Sequence, residues 1–211
     1  MTPYSRQAIR LPISPCLKGQ WYKAFKRKHD NLLSILEVKL QLVALEALVQ
    51  YYNSPLRCFT FRDFQIAPTL EEYEHLLGLP LAESPYYFHR GLLEGVQRSY
   101  LEEWLHQLQK KEDWRAVMDV YGLLVYKIVL FPHTEDYIDL AVIDVFFSKR
   151  DRGENPIMAI LANTHHTLSY YCERQGKSLR CCAHLLYLWL TAHLFHNKRK
   201  TTCLVKDFKW S

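Results

Sequence analysis

The chain has 211 residues, 49% of them hydrophobic and 14% aromatic, which places it with globular proteins of a single domain and away from disordered chains. Its formal charge of +5, from 27 basic and 22 acidic residues, favours polyanions weakly, and its 7 glycines argue against a phosphate-cradling loop enzyme or a turn-rich β-sandwich. Pro3, Pro12 and Pro15 interrupt the first 20 residues, so no secretory signal is expected and the six cysteines are read as reduced thiols.

Residues 1–20 read as an irregular lead-in to a helical domain over 21–211. Trp21 to His29 forms a short basic helix with Trp21, Tyr22 and Phe25 on one side. After a capping Asn31, Leu32, Leu33, Leu36, Leu40, Val43, Ala47 and Leu48 recur at helical steps. Asn53-Ser54-Pro55 is a turn. Cys58 to Phe61 and Phe64 to Ile66 are the arms of a hairpin, with Arg62-Asp63 as the polar break. Pro68 ends strand pairing, having no amide hydrogen to give. Thr69 with Glu72 three residues on is a capping box, Leu70, Tyr73, Leu76 and Leu77 form the buried stripe, and Gly78 with Pro80 stops the helix.

A loop with an exposed aromatic run, Tyr86, Tyr87 and Phe88, comes next. Val96 to Lys110 is amphipathic, with Tyr100, Trp104, Leu105 and Leu108 expected inward. Asp113 caps an apolar helix that ends at Phe131-Pro132. Thr134 is expected to cap another, whose Tyr137, Ile138, Ala141, Val142, Val145 and Phe146 face the core. A charged turn, Ser148 to Asn155, follows; Asn155 and Pro156 open a helix that Gly176 closes, and Ser178 caps a last one over Leu179 to His196. The fold class is therefore mainly α, about seven helices with one small β-hairpin near residues 57–67.

The chemistry-bearing residues read mostly as structural. Cys172, Cys181, Cys182, His184, His193, His196 and Cys203 crowd the C-terminal third, but no Cys-x2-Cys pair is present, and structural zinc normally uses such pairs. His165 and His166 are adjacent on a helix and diverge by about 100°, so they cannot act on one atom. Lys127 sits in an apolar run without a glycine and hydroxyl cradle, which disfavours pyridoxal-phosphate chemistry. Glu135, Asp136, Asp139 and Asp144 are expected on different faces of one helix, the first two at its positive end. The Gly-x-Ser-x-Gly elbow is absent. Cys181 to Phe195 lacks Asp, Glu, Lys and Arg but is 15 residues long, short of the ~20 a bilayer requires, so it is read as a core helix. No catalytic, cofactor-binding or metal-binding residue is expected.

Basic clusters are the remaining candidates: Lys23, Lys26, Arg27 and Lys28; Lys149, Arg150 and Arg152; Lys198, Arg199 and Lys200. Cations at the negative pole of a helix account for the last two. If folding joins two clusters they could hold a phosphate backbone, with bases stacking on Tyr86 to Phe88. The expected contact surface is Lys26, Arg27, Lys28, Tyr86, Tyr87, Phe88, Lys198, Arg199 and Lys200.

The stretch LRCFTFRDFQIAPTLEEYEHLLGLP (Leu56 to Pro80) resembles the plant mobile domain family, in particular a branch of unknown function abundant in legumes. Trp21 to Leu36, Asp113 to Pro132, Tyr137 to Thr164 and Leu179 to Ser211 match it in the same order. The resemblance implies a helical, non-enzymatic interaction domain derived from or carried by a transposable element. It also implies work in the nucleus through protein partners or weak nucleic-acid contacts, with no membrane and no cofactor, and a break of the 32–48 helix around Val38 to Gln41. Many relatives carry a further stretch after the position of Arg90-Gly91 and continue past that of Ser211, so the chain reads as a truncated or divergent copy. Two other readings stand beside this one. A structural remnant of a mobile element would be unstable, and an enzyme would gather several of His133, His165, His184, Asp136 and Lys127 in one pocket.

Overall fold

A computed structural model describes residues 19–29, 32–36, 38–79, 95–132, 136–174 and 179–195. Helix α1 (Gln20–Lys28) starts after Gly19, held at φ 60, and carries Lys26, Arg27 and Lys28 in its last turn, at the negative pole. The leucine-rich stretch after it is two helices, α2 (Leu32–Leu36) and α3 (Leu42–Val49). The break falls before Gln41, whose backbone is non-helical at φ −95, ψ 89.

The hairpin is present and has a third strand. Strand β1 (Tyr52–Asn53) pairs antiparallel with β2 (Cys58–Thr60), Tyr52 opposite Phe59, and β2 pairs with β3 (Gln65–Ile66), Phe59 opposite Ile66. In the β1–β2 turn the Asn53 side-chain oxygen accepts from Leu56 N at 3.2 Å, and Arg57 takes φ 52, a region non-glycine residues seldom enter. Helix α4 (Leu70–Leu77) has the full reciprocal capping box, Glu72 N donating to the Thr69 hydroxyl (3.3 Å) and Thr69 N to the Glu72 carboxylate (3.0 Å). Gly78 ends it in the left-handed region at φ 67.

A second, two-stranded ladder escaped the sequence reading. Strand β4 (Val96–Gln97) pairs with β5 (Tyr137–Ile138), so Val96 and Gln97 precede helix α5 (Arg98–Lys110) rather than belong to it. Gly95 lies against this ladder, where a Cβ would stand 2.4 Å from the Ile138 carbonyl oxygen. Helix α6 (Trp114–Val125) starts at Asp113, whose carboxylate accepts from Ala116 N at 3.2 Å, and runs on through a π-helical turn, Tyr126–Leu130. Helix α7 (Leu140–Phe147) continues into a second π turn, Ser148–Arg152, closed by Gly153 at φ 69. Helix α8 (Ile157–Glu173) opens with the Asn155 side chain accepting from Ile157 N at 3.0 Å, and α9 (Ala183–Phe195) is the last described helix.

The core is one continuous apolar cluster. Helix α9 packs on α2, α3 and α4; α8 packs on α4 and β1; α6 packs on α1, α5 and α7. Trp189 of α9 meets Phe59 of β2 with ring centroids 5.7 Å apart, fixing the sheet to the last helix.

Four orientations differ from expectation. Tyr100 and Trp104 point outward, 62% and 43% exposed, because the α5 stripe runs through Leu101, Leu105 and Leu108. Tyr137 and Ala141 are also exposed: the first sits in an edge strand, and α7 begins at Leu140, which turns Val142, Val145 and Phe146 inward. Asp136 and Asp139 consequently precede α7, with Asp139 at its N-cap. Helix α9 starts at Ala183, four residues after the expected Leu179, and the Cys182 thiol accepts from the amides of His184 and Leu185 at its first turn. Asn31, Thr134, Gly176 and Ser178, the other expected caps and stops, lie outside the described residues.

Candidate functional site

Folding joins two of the three basic clusters. Helix α1 packs along α6 with Trp21 stacked on Trp114 (5.7 Å, 19°) near one end and Phe25 against Tyr121 (5.2 Å) further along. At the other end, Lys28 Nζ reaches Asp119 Oδ1 at 2.6 Å, and Arg150, from the π turn after α7, reaches Asp119 Oδ2 at 3.3 Å. Asp119 thus bridges three elements. Arg150 also makes a two-point pair with Asp151 (2.6 and 2.9 Å) and lies over the Phe147 ring at 4.3 Å. Arg152 pairs with Glu154 and bonds Ser148.

These pairs redistribute the charge. Around the bridge, Lys28 and Arg150 pair with Asp119, Arg150 also with Asp151, and Arg152 with Glu154. The unopposed positive charge is on α1 itself, where Lys23, Lys26 and Arg27 are exposed and make no ion pair among the described residues. Of the expected contact surface, Lys26 and Arg27 therefore stand open on one helix face, and Lys28 is turned to Asp119. Tyr86, Tyr87, Phe88, Lys198, Arg199 and Lys200 lie outside the described residues.

Behind this edge sits His29, 4% exposed, at the C-terminal end of α1. Its ring lies between Phe25 (4.4 Å) and Phe146 (6.0 Å, 15°), and neither nitrogen has a hydrogen-bond partner among the described residues. Gly122 makes the room, since a Cβ there would stand 3.0 Å from His29 Nε2 and 2.8 Å from the Phe146 ring. Burial first, then the neighbouring Lys28 charge, pushes the imidazole down to about 4.

The one histidine–carboxylate pair among the described residues is buried and fully used. Glu72 and His193 side chains are 10% and 9% exposed, with His193 Nε2 at 2.9 Å from Glu72 Oε1. Trp189 Nε1 donates to Glu72 Oε2 at 2.8 Å, beside the capping bond from Thr69 N. Burial alone would push the Glu72 carboxyl up; the donors from His193, Trp189 and Thr69 outweigh it and leave it below its usual range. The other ring nitrogen, His193 Nδ1, faces the Trp189 carbonyl at 3.0 Å. Both ring nitrogens are thus engaged within the protein, one by the Glu72 carboxylate and one by the Trp189 carbonyl. The usable signal was Trp189 and His193, four apart on a helix without Asp, Glu, Lys or Arg.

One family matches the chain over residues 13–92 and 87–211. The chain belongs to that family, described as "Domain of unknown function (DUF7745)". No curated protein and no solved structure is detectably similar to it. The two matched DUF7745 segments overlap over residues 87–92.

The remaining candidates of this DUF7745 domain are spread over the fold. His165, on α8, bonds the Tyr52 hydroxyl at 3.0 Å and is lowered by burial, and its neighbour His166 is exposed. Lys127 is buried in the first π turn, His184 is buried in the first turn of α9, and Asp136 gives its carbonyl to Arg98 N ahead of β5. His133, His196 and Cys203 lie outside the described residues. No three of His, Cys, Asp and Glu gather to hold a metal ion among the described residues. The Cys181 thiol is pushed up by burial and the adjacent Cys182, and burial takes Cys182 to about 12, so both stay protonated and poor ligands. No helix among the described residues is long and apolar enough to cross a membrane.

Proposed function

We propose that the chain is a non-enzymatic interaction domain of a transposable-element-derived plant protein, working in the nucleus through contacts made by the open face of α1. The observation that supports this reading is the division of labour along that helix. Lys28 is committed to Asp119 and thereby anchors α1 to α6 and, through Arg150, to the turn after α7. Lys23, Lys26 and Arg27 are left exposed on a helix whose position is fixed at both ends, by the Trp21–Trp114 stack and by the Asp119 bridge. Preplaced cations of this kind suit the phosphate backbone of nucleic acid or an acidic protein face.

The test is duplex DNA binding by the whole chain across a salt series, beside a Lys23→Glu/Lys26→Glu/Arg27→Glu variant. Three neutralised phosphates predict a slope of log affinity on log salt of roughly −3, lost in the variant. Affinity purification from plant nuclei with and without nuclease then separates nucleic-acid tethering from direct protein contacts. Unchanged binding and unchanged capture in the triple variant would dispose of the assignment.

A further inference from the structure

Three aromatic rings stack at one end of the β1–β2–β3 sheet. Tyr51 lies on Phe61 with centroids 5.0 Å apart and planes 27° from parallel, and Phe61 lies on Phe64 at 4.9 Å and 27°. The backbone builds the stack. Thr60 N donates to the Tyr51 carbonyl and Phe61 N to the Phe64 carbonyl, both at 2.9 Å, the second closing the tight turn that carries Arg62 and Asp63. Tyr51 is 52% and Phe64 47% exposed, so the stack ends in water on both sides.

Packing does not account for this exposure. Tyr52 and Phe59 do the burying for this sheet, Phe59 against Trp189 and Tyr52 beside His165. A ladder of flat rings with open outer faces is a platform on which any nucleobase can stack, since every base presents a π face. The turn that closes the stack carries an exposed cation, Arg62, beside Asp63, and a second exposed arginine, Arg57, stands at the opposite turn of the sheet. Proline-rich peptides dock in aromatic-lined grooves. Here the inner ring faces are spent on one another instead of lining such a groove.

We infer that the Tyr51–Phe61–Phe64 ladder receives unpaired bases of single-stranded nucleic acid, with Arg62 taking an adjoining phosphate. The surface shares no residue with the open face of α1 and goes beyond the reading given for that face.

The experiment is fluorescence anisotropy on the whole chain with a labelled oligothymidylate of about 20 nucleotides, a duplex of the same length and a proline-rich peptide. Tyr51→Leu/Phe64→Leu keeps apolar bulk and removes two flat faces; it should weaken single-strand binding about tenfold or more and leave the duplex unaffected. Phe64→Trp, which widens the face, should bind the single strand at least as well as the parent. Lys26→Glu/Arg27→Glu should weaken both nucleic acids together, which separates the α1 edge from the ladder. Melting curves show whether the double variant is folded; if it is not, Phe64→Leu and Phe64→Trp at the open end of the stack carry the test. Single-strand affinity indifferent to the ladder, preference for the duplex, or binding of the peptide with no binding of the oligonucleotide would each overturn the inference.

Discussion

The carboxylates Glu72 and Asp119 each tie together helices distant in sequence, and they do so in opposite surroundings. Glu72 has a side chain 10% exposed and three donors, from Thr69, Trp189 and His193, joining the first turn of α4 to the later turns of α9. Asp119 has a side chain 26% exposed and two cations, Lys28 and Arg150, joining α6 to α1 and to the turn after α7. Water decides what each is worth. It cannot replace the donors around Glu72, whereas it competes for those around Asp119 and screens what remains. The buried site specifies the fold, and the half-exposed one sets the charge and posture of a surface.

The comparison breaks most directly at Glu72. Glu72→Leu strands Trp189 Nε1 and the His193 ring among apolar neighbours and should cost about 3–5 kcal/mol. For a chain of this size that is a fall in melting midpoint on the order of 10 °C, read by thermal or denaturant unfolding. A midpoint equal to the parent's would mean that water reaches this network and the contrast with Asp119 is false.

Acid sharpens the same contrast from a third position, His29, which lies behind the Asp119 bridge and is shielded like Glu72. The folded ring titrates at about 4 and the unfolded one at its ordinary 6.5, so between these values the unfolded chain binds more protons. Stability is therefore fully present above about pH 6.5, declines as pH falls through that window, and levels off below about 4, a loss of roughly 3 kcal/mol. His29→Leu should flatten this part of the pH–stability curve. It leaves the decline from Glu72, which sets in as pH falls through the ordinary carboxyl range of the unfolded chain and is complete where the lowered carboxyl of the folded chain takes up its proton. Equal acid sensitivity with and without the imidazole would show that His29 is hydrated.

What could be seen in the sequence follows the range of each interaction. The Thr69–Glu72 box, the Gly78 stop, the Asp113 cap and the β2–β3 hairpin depend on neighbours within a few residues, and all were legible. The β4–β5 ladder joins Gln97 to Tyr137, 40 positions away, through two residues per strand that carry no period of their own. The α5 error is one of phase: Tyr100 and Trp104 form a stripe as regular as Leu101, Leu105 and Leu108, and only the packing partner chooses between them. Glu72 was recognised as a cap, and its burial was not, because its two other donors come from a helix 117 residues downstream. At the surface, Lys28 and Arg150 were legible as cations, but not as a pair held by one carboxylate.

The smallest effect bears most on function. Asp119→Asn should change stability by less than about 1 kcal/mol, since the pairs it removes are a quarter to a third exposed. The same substitution frees Lys28 and Arg150 from their shared anion and adds one positive charge beside Lys26 and Arg27. At low salt, duplex binding should therefore tighten a few-fold, and the gain should vanish as salt shortens the range of the surface charges. The sign of the change carries the information. Tighter binding means that Asp119 restrains a surface whose cations act on their own. Weaker binding means that the cations work only in the posture Asp119 imposes; α1 must then be held in place to bind, and the bridge belongs to the contact surface itself.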